Sequence, residues 1–81
     1  MCKEMEIRTV ALEAFRHIAN DEGIGESYNI VFDLKFDSID MVEVVMEIED
    51  KFDISIDEQD YADCITVEEF INRLVKNIGV E

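Results

Sequence analysis

Asp37-Ser38-Ile39-Asp40-Met41-Val42-Glu43-Val44-Val45-Met46-Glu47-Ile48-Glu49-Asp50-Lys51-Phe52 reads as a helix with two apolar faces. Advancing about 100° per residue from Ile39, the residues Met41, Val44, Val45, Ile48 and Phe52 cluster about 200° away and form a core stripe. Ile39, Val42 and Met46 cluster around about 330° on the same wheel, on a separate side. Glu43, Glu47 and Asp50 flank this second group on one side, and Glu49 on the other. A core stripe does not require a second one, so three apolar residues at i, i+3 and i+7 hemmed by acids predict an exposed docking patch. The spacing predicts a helix over Ser38 to Lys51, with Ser38 as its N-cap.

A serine at that place stabilises a helix by roughly 1 kcal/mol, and most do only that. Its hydroxyl is also fixed by the backbone and open to solvent. A nucleophilic serine needs a base, and the neighbours of Ser38 are carboxylates, so no catalytic residue is assigned. The positive end of the helix dipole favours a phosphate on this oxygen. The acids around it oppose that anion, a conflict that a divalent metal brought by a modifying enzyme would bridge. The stretch reads as a modification and docking site.

Outward from this helix, Ile7, Val10, Ala11, Ala14 and Ile18 share a narrow arc, with Phe15 at its edge, and predict a helix from Lys3 to Asn20. Gly23 is the expected left-handed residue after it. Between Gly23 and Asp37, the alternating Ile30, Phe32 and Leu34 are expected to plug the core from an ordered loop, since a lone strand has no partner here. Asp53 to Ile56 reads as an extended link. Asp57 to Ala62 allows one or two helical turns with Tyr61 inward. Thr66-Val67-Glu68-Glu69 is a capping box opening a last helix, whose apolar face is Val67, Phe70, Ile71, Leu74 and Ile78. Arg73 and Lys76 sit near its C-terminus, where the dipole favours cations. The expected fold is all-α: a small antiparallel helical bundle of three main helices plus one short helix, with residues 1–81 as a single domain.

The 81 residues carry 7 basic and 21 acidic side chains, a net charge of −14. Asp37 to Asp63 alone hold eleven acids against one base, Lys51. Nucleic acid and anionic membrane surfaces are repelled, whereas partners with basic surfaces are steered in. No apolar run reaches the ~18 residues of a membrane span. The first residues lack a signal-peptide core, so the cytoplasm is the expected location. Cys2 and Cys64 form no zinc set, and no disulfide is expected. Cys64 is expected as a small core residue, and His17 as lone and exposed. Asp53-Ile54-Ser55-Ile56-Asp57 opens like a calcium loop, but Glu58 stands where Gly is needed and Cys64 where a bidentate Glu belongs. No metal site is assigned.

Leu34-Lys35-Phe36-Asp37-Ser38-Ile39-Asp40 resembles the Asp-Ser-Leu attachment motif of the acyl carrier proteins, and Met41 to Ile56 resembles that family's recognition helix nearly position for position. Ile65-Thr66-Val67 and the last helix also fit. The resemblance implies that Ser38 receives 4′-phosphopantetheine from coenzyme A through a phosphopantetheinyl transferase that uses magnesium. Acyl groups would then be held as thioesters on the terminal thiol. It further implies that Asp37, Asp40, Glu43, Glu49 and Asp50 meet basic residues on the transferase and on acyl-processing enzymes, beside the Glu47 carboxylate. Ile39, Val42 and Met46 would make the apolar contacts. A pocket between the second helix and the short third one, lined by Val45, Ile48, Tyr61 and Ile65, would shelter the acyl chain.

The family's common fatty-acid members have Gly-Ala where this chain has Lys35-Phe36, so a bulky ring is expected beside the prosthetic group. Ile39 replaces the usual Leu, and Asp57 a frequent Pro. The implied role is a monomeric, non-catalytic carrier in fatty-acid or specialised lipid biosynthesis. A polyketide, lipopolysaccharide or aminoacyl/peptidyl pathway, or an unmodified acidic interaction module, is the alternative.

Overall fold

Phe15, near the end of the first helix, is the hub on which the other elements meet. The computed structural model describes residues 3–78, with helices α1 (Lys3–Ala19), α2 (Ser38–Phe52) and α3 (Val67–Ile78) and a 3₁₀ turn at Glu58–Asp60. The ring of Phe15 stacks on Phe36, which precedes α2, at 5.9 Å and 16°. It also meets Phe70, in the first turn of α3, edge-on at 5.3 Å and 84°. The C-terminal end of α1 therefore lies beside the N-terminal ends of α2 and α3, the antiparallel arrangement expected of this pattern.

Each helix buries the face its periodicity marks. Ile7, Ala11, Ala14 and Phe15 of α1 are buried, and the two alanines allow the other helices to approach closely. Val44, Val45 and Ile48 of α2 join them, with Met41 and Phe52 packed at the margin. Val67, Phe70, Ile71 and Leu74 complete the core from α3. Of the α1 stripe, Ile18 packs at the core's edge and Val10 is half-buried.

The ends of α1 and α2 are closed by left-handed residues that are not glycine. Asn20 (φ 56°) ends α1, with the Asn20 amide donating to the His17 carbonyl and the Asp21 amide to the Arg16 carbonyl. These two bonds form a Schellman arrangement, and Asn20 takes the role expected of Gly23 because asparagine tolerates this backbone region. Asp53 (φ 55°) ends α2, donating its amide to the Glu49 carbonyl.

The long connection between α1 and α2 is ordered by hydrogen bonds and anchored by Ile24, Ile30 and Phe36, all buried. Its first half completes α3: the Val67 and Glu68 amides, orphaned at a helix start, donate to the Tyr28 and Glu26 carbonyls. Thr66 Oγ1 accepts the Glu69 amide at 3.2 Å and Glu69 Oε1 accepts the Thr66 amide at the same distance, so the predicted capping box forms. Asn29 and Thr66 pair as a single antiparallel bridge, and no named strand occurs among the described residues.

Three expectations fail here. Phe32 is 78% exposed and plugs nothing, whereas Ile30 is buried and Leu34 packs at the margin. The cause is a turn centred on Asn29, whose side chain accepts the Val31 and Phe32 amides and breaks the alternation. The ring of Phe36 lies in the core against Phe15 rather than beside a prosthetic group. His17, although its side chain is exposed, is not lone: its Nδ1 meets the Glu47 carboxylate across the α1–α2 contact. The region Asp57–Ala62, by contrast, forms the one helical turn expected there, a 3₁₀ turn, with Tyr61 packed half-buried and edge-on against Phe70 at 5.9 Å.

Candidate functional site at the start of α2

Two residues before Ser38, the chain leaves the core at Phe36, whose amide donates to the Ile30 carbonyl and closes the loop behind it. Asp37 follows as the N-cap, its side chain accepting the Asp40 amide. The Asp40 carboxylate in turn accepts the Asp37 amide. The N-cap is therefore Asp37 rather than Ser38, and Ser38 is the first helical residue. Its side chain is exposed, and its hydroxyl enters no side-chain hydrogen bond among the described residues. The displacement by one residue frees the serine, because the capping duty that would occupy its oxygen is performed by its neighbour.

The Asp40 amide holds the Asp37 carboxyl below the usual carboxylate range. The Ile39 amide adds to this effect, and burial opposes it. Asp37 thus stays ionised at neutral pH beside the serine. It is a poor base for that reason, which agrees with a hydroxyl placed for modification rather than attack.

Along α2, Ile39, Val42 and Met46 are 67%, 45% and 61% exposed, so the second apolar face is uncovered as its spacing predicts. Glu43 and Asp50 beside it are exposed. Glu47 faces α1, where it meets His17 and lines a cleft of about 480 Å³ with Glu13, Arg16 and Lys51. Glu49 accepts the Ile56 amide at 2.6 Å and so tethers the link that follows the helix.

The four residues named for an acyl pocket are not brought to one opening. Val45 and Ile48 are buried, Tyr61 is half-buried and Ile65 is 56% exposed. Near Tyr61 the seam lined by Ile56, Phe70 and Leu74 has no room for a water molecule. Burial, aided by Glu58 and Glu49, pushes the Tyr61 phenol above its usual range. Among the described residues no cluster of three His, Cys, Asp or Glu side chains could hold a metal.

Two features escaped sequence reasoning. Lys35 adopts a left-handed backbone (φ 58°), which costs a residue with a Cβ about 1 kcal/mol. Arg73 makes a two-pronged pair with Asp63 at 2.8 and 2.9 Å and donates to the Asp60 carbonyl, fixing the 3₁₀ segment to α3. The spacing of Asp63 and Arg73 gives no local signal, since they lie on different elements.

A helical bundle that offers an uncommitted hydroxyl on the first turn of an acidic helix has the build of a covalent carrier of a prosthetic group. The family model described as "Phosphopantetheine attachment site" matches residues 6–74, most of the chain. An acyl carrier protein from Syntrophobacter fumaroxidans is 33% identical over 78 residues, covering 90% of this chain and 96% of its own length. Another from Desulforapulum autotrophicum is 33% identical over 76 residues, covering 94% of this chain and 97% of its own. A solved structure described as a candidate acyl carrier protein from Mycobacterium tuberculosis superposes with a TM-score of 0.76. It shares 27% identity and covers 86% of this chain and 96% of its own. The chain belongs to the phosphopantetheine attachment family, and its role is that of an acyl carrier whose cofactor is 4′-phosphopantetheine.

Proposed function

We propose that Ser38 is the attachment residue and that α2 is the surface by which other enzymes recognise the carrier. The observation that carries this reading is the exposed, uncommitted Ser38 hydroxyl on the first turn of α2. The residues present suit the arm. Its phosphodiester would stand at the helix N-terminus, where the dipole favours an anion. When bound, the arm supplies a terminal thiol on which acyl groups are held as thioesters.

The chain's own residues do the remaining work. Asp37 and Asp40 lock the turn that holds Ser38 outward. Asp37, Asp40, Glu43, Glu47, Glu49 and Asp50 attract the Lys and Arg side chains of a transferase and of acyl-processing enzymes, fast and with strong salt dependence. Ile39, Val42 and Met46 give the contact an apolar centre. Val45, Ile48, Tyr61 and Ile65 remain the proposed lining for an acyl chain, which would enter by parting the closed seam beside Tyr61. The carrier is a non-catalytic, monomeric, single-domain protein of the cytoplasm, serving fatty-acid or specialised lipid synthesis. No described helix is long and apolar enough to cross a membrane.

Incubation with coenzyme A, magnesium and a broad-specificity transferase tests the assignment. The parent should gain one arm by intact mass, and Ser38→Ala none. An arm that still attaches to Ser38→Ala would move the site elsewhere.

A further inference from the structure

From Asp21 to Asp50 the sequence contains ten acids and one Lys or Arg, Lys35. It lies three residues before Ser38, a separation of at most about 11 Å along the chain. Its left-handed backbone is imposed from both sides. The Leu34 amide donates to the Asn29 carbonyl, and the Phe36 amide to the Ile30 carbonyl. Lys35 is thus held on a pinned turn at the root of α2, with a flexible four-carbon stem and a point charge at its tip.

The carboxylates on either side of it are engaged elsewhere. Asp33 Oδ2 accepts the Asn29 amide at 2.7 Å, and Asp37 Oδ1 accepts the Asp40 amide at 2.9 Å. Lys35 is exposed and enters no ion pair among the described residues. A chain at −14 that gains a phosphodiester beside Asp37 and Asp40 acquires one more negative charge at its most acidic rim. The one Lys or Arg in that stretch of sequence is unclaimed by any side chain described.

We propose that Lys35 binds the phosphodiester through which the arm is joined to Ser38, offsetting the charge that attachment adds. This rests on the reading of Ser38 as the attachment residue. The ligand is a phosphate diester monoanion, and the contact is a charge-assisted hydrogen bond from the ammonium group.

The test compares loading in the full chain, its Lys35→Asn variant and its Lys35→Arg variant. Asparagine tolerates the left-handed backbone, so the variant loses the ammonium group and its long stem without added backbone strain. Each protein is melted before and after the arm is added, at about 0.02 M and about 0.5 M salt, and intact mass verifies the adduct. At low salt, loading should lower the midpoint of Lys35→Asn by roughly 2–4 °C relative to its effect on the parent. Lys35→Arg should behave as the parent, and high salt should erase the difference. Equal loading shifts for parent and Lys35→Asn at low salt overturn the proposal. An independent reading is the ³¹P resonance of the loaded parent, which at low salt should differ from that of loaded Lys35→Asn and converge on it as salt rises. Coincident resonances of the two loaded proteins at low salt also overturn it. A parent that accepts no arm overturns both this proposal and the Ser38 assignment, whereas an arm with equal shifts removes Lys35 alone.

Discussion

Asp37 and Asp40 cap each other: the Asp40 amide donates to Asp37 Oδ1 at 2.9 Å, and the Asp37 amide to Asp40 Oδ2 at 3.1 Å. The pair holds the first turn of α2 closed without the intervening serine. Capping and the proposed attachment therefore fall to adjacent residues and can be separated by substitution. Asp37→Ala should lower the melting midpoint by a few degrees, because an N-cap acceptor is lost. Ser38→Ala should leave the midpoint nearly unchanged while abolishing attachment. Thermal melts of the two unloaded variants decide this, and equal losses would return the capping role to Ser38.

A second acid ties folding to pH. The side-chain hydrogen bonds from Arg73 hold the Asp63 carboxyl below its ordinary value of 3.8. A carboxyl whose folded value is depressed contributes stability above its unfolded value and loses that contribution as pH falls through the folded one. The difference in urea stability between the parent and Asp63→Asn should thus be constant from about pH 5 to 8 and shrink below about pH 4. A difference that stays level through the acid limb would show the Arg73 contact to be unimportant in solution. Asp37, lowered by the Asp40 amide, acts in the same direction over the same window.

The thiol of Cys64 offers a readout of packing near α3. Burial pushes this thiol above its ordinary value of 9.0, and Arg73 counteracts that in part. The nucleophile in alkylation is the thiolate, so a raised value slows the reaction. Iodoacetamide at about pH 8 should label Cys64 several-fold more slowly in the native protein than in urea, as read by mass spectrometry of its peptide. Equal rates would mean that the 3₁₀ segment opens freely.

The helices were legible because their signals are local and mutually consistent. The two faces of α2 and the Thr66–Glu69 box each follow from spacing alone, and each forms as read. Helix α2 starts at Ser38 as its spacing predicts, but its cap is Asp37 instead of Ser38, because Asp and Ser are equally good caps. The reciprocal Asp37-x-x-Asp40 pattern was the cue that distinguishes them. The loop was harder to read, since whether an apolar residue in it is buried depends on the turn that carries it. Asn29 gathers the Val31 and Phe32 amides on its side chain, and that single residue reverses the expectation for Phe32. Phe36 was misread for the opposite reason: its place beside the motif suggested function, while its partner Phe15 lies a helix away in sequence.

These two phenylalanines give the sharpest contrast in the chain. The ring of Phe36 is 8% exposed and stacks on Phe15, whereas that of Phe32 is 78% exposed on a turn held by Asn29. Removing a buried ring forfeits its transfer energy and leaves a cavity, so Phe36→Ala should destabilise by about 3–5 kcal/mol. Such a loss takes much of the stability available to so small a domain, so partial unfolding at 37 °C is expected. Phe32→Ala removes as many atoms from a site already in water and should stay within about 0.5 kcal/mol of the parent. Urea denaturation of both variants settles the matter. A large loss at Phe32 would mean that its ring packs on the bundle in solution, and a small one at Phe36 would mean that the core closes without it. Neither substitution touches Ser38, so the attachment rate of the folded fraction separates a packing defect from a lost site.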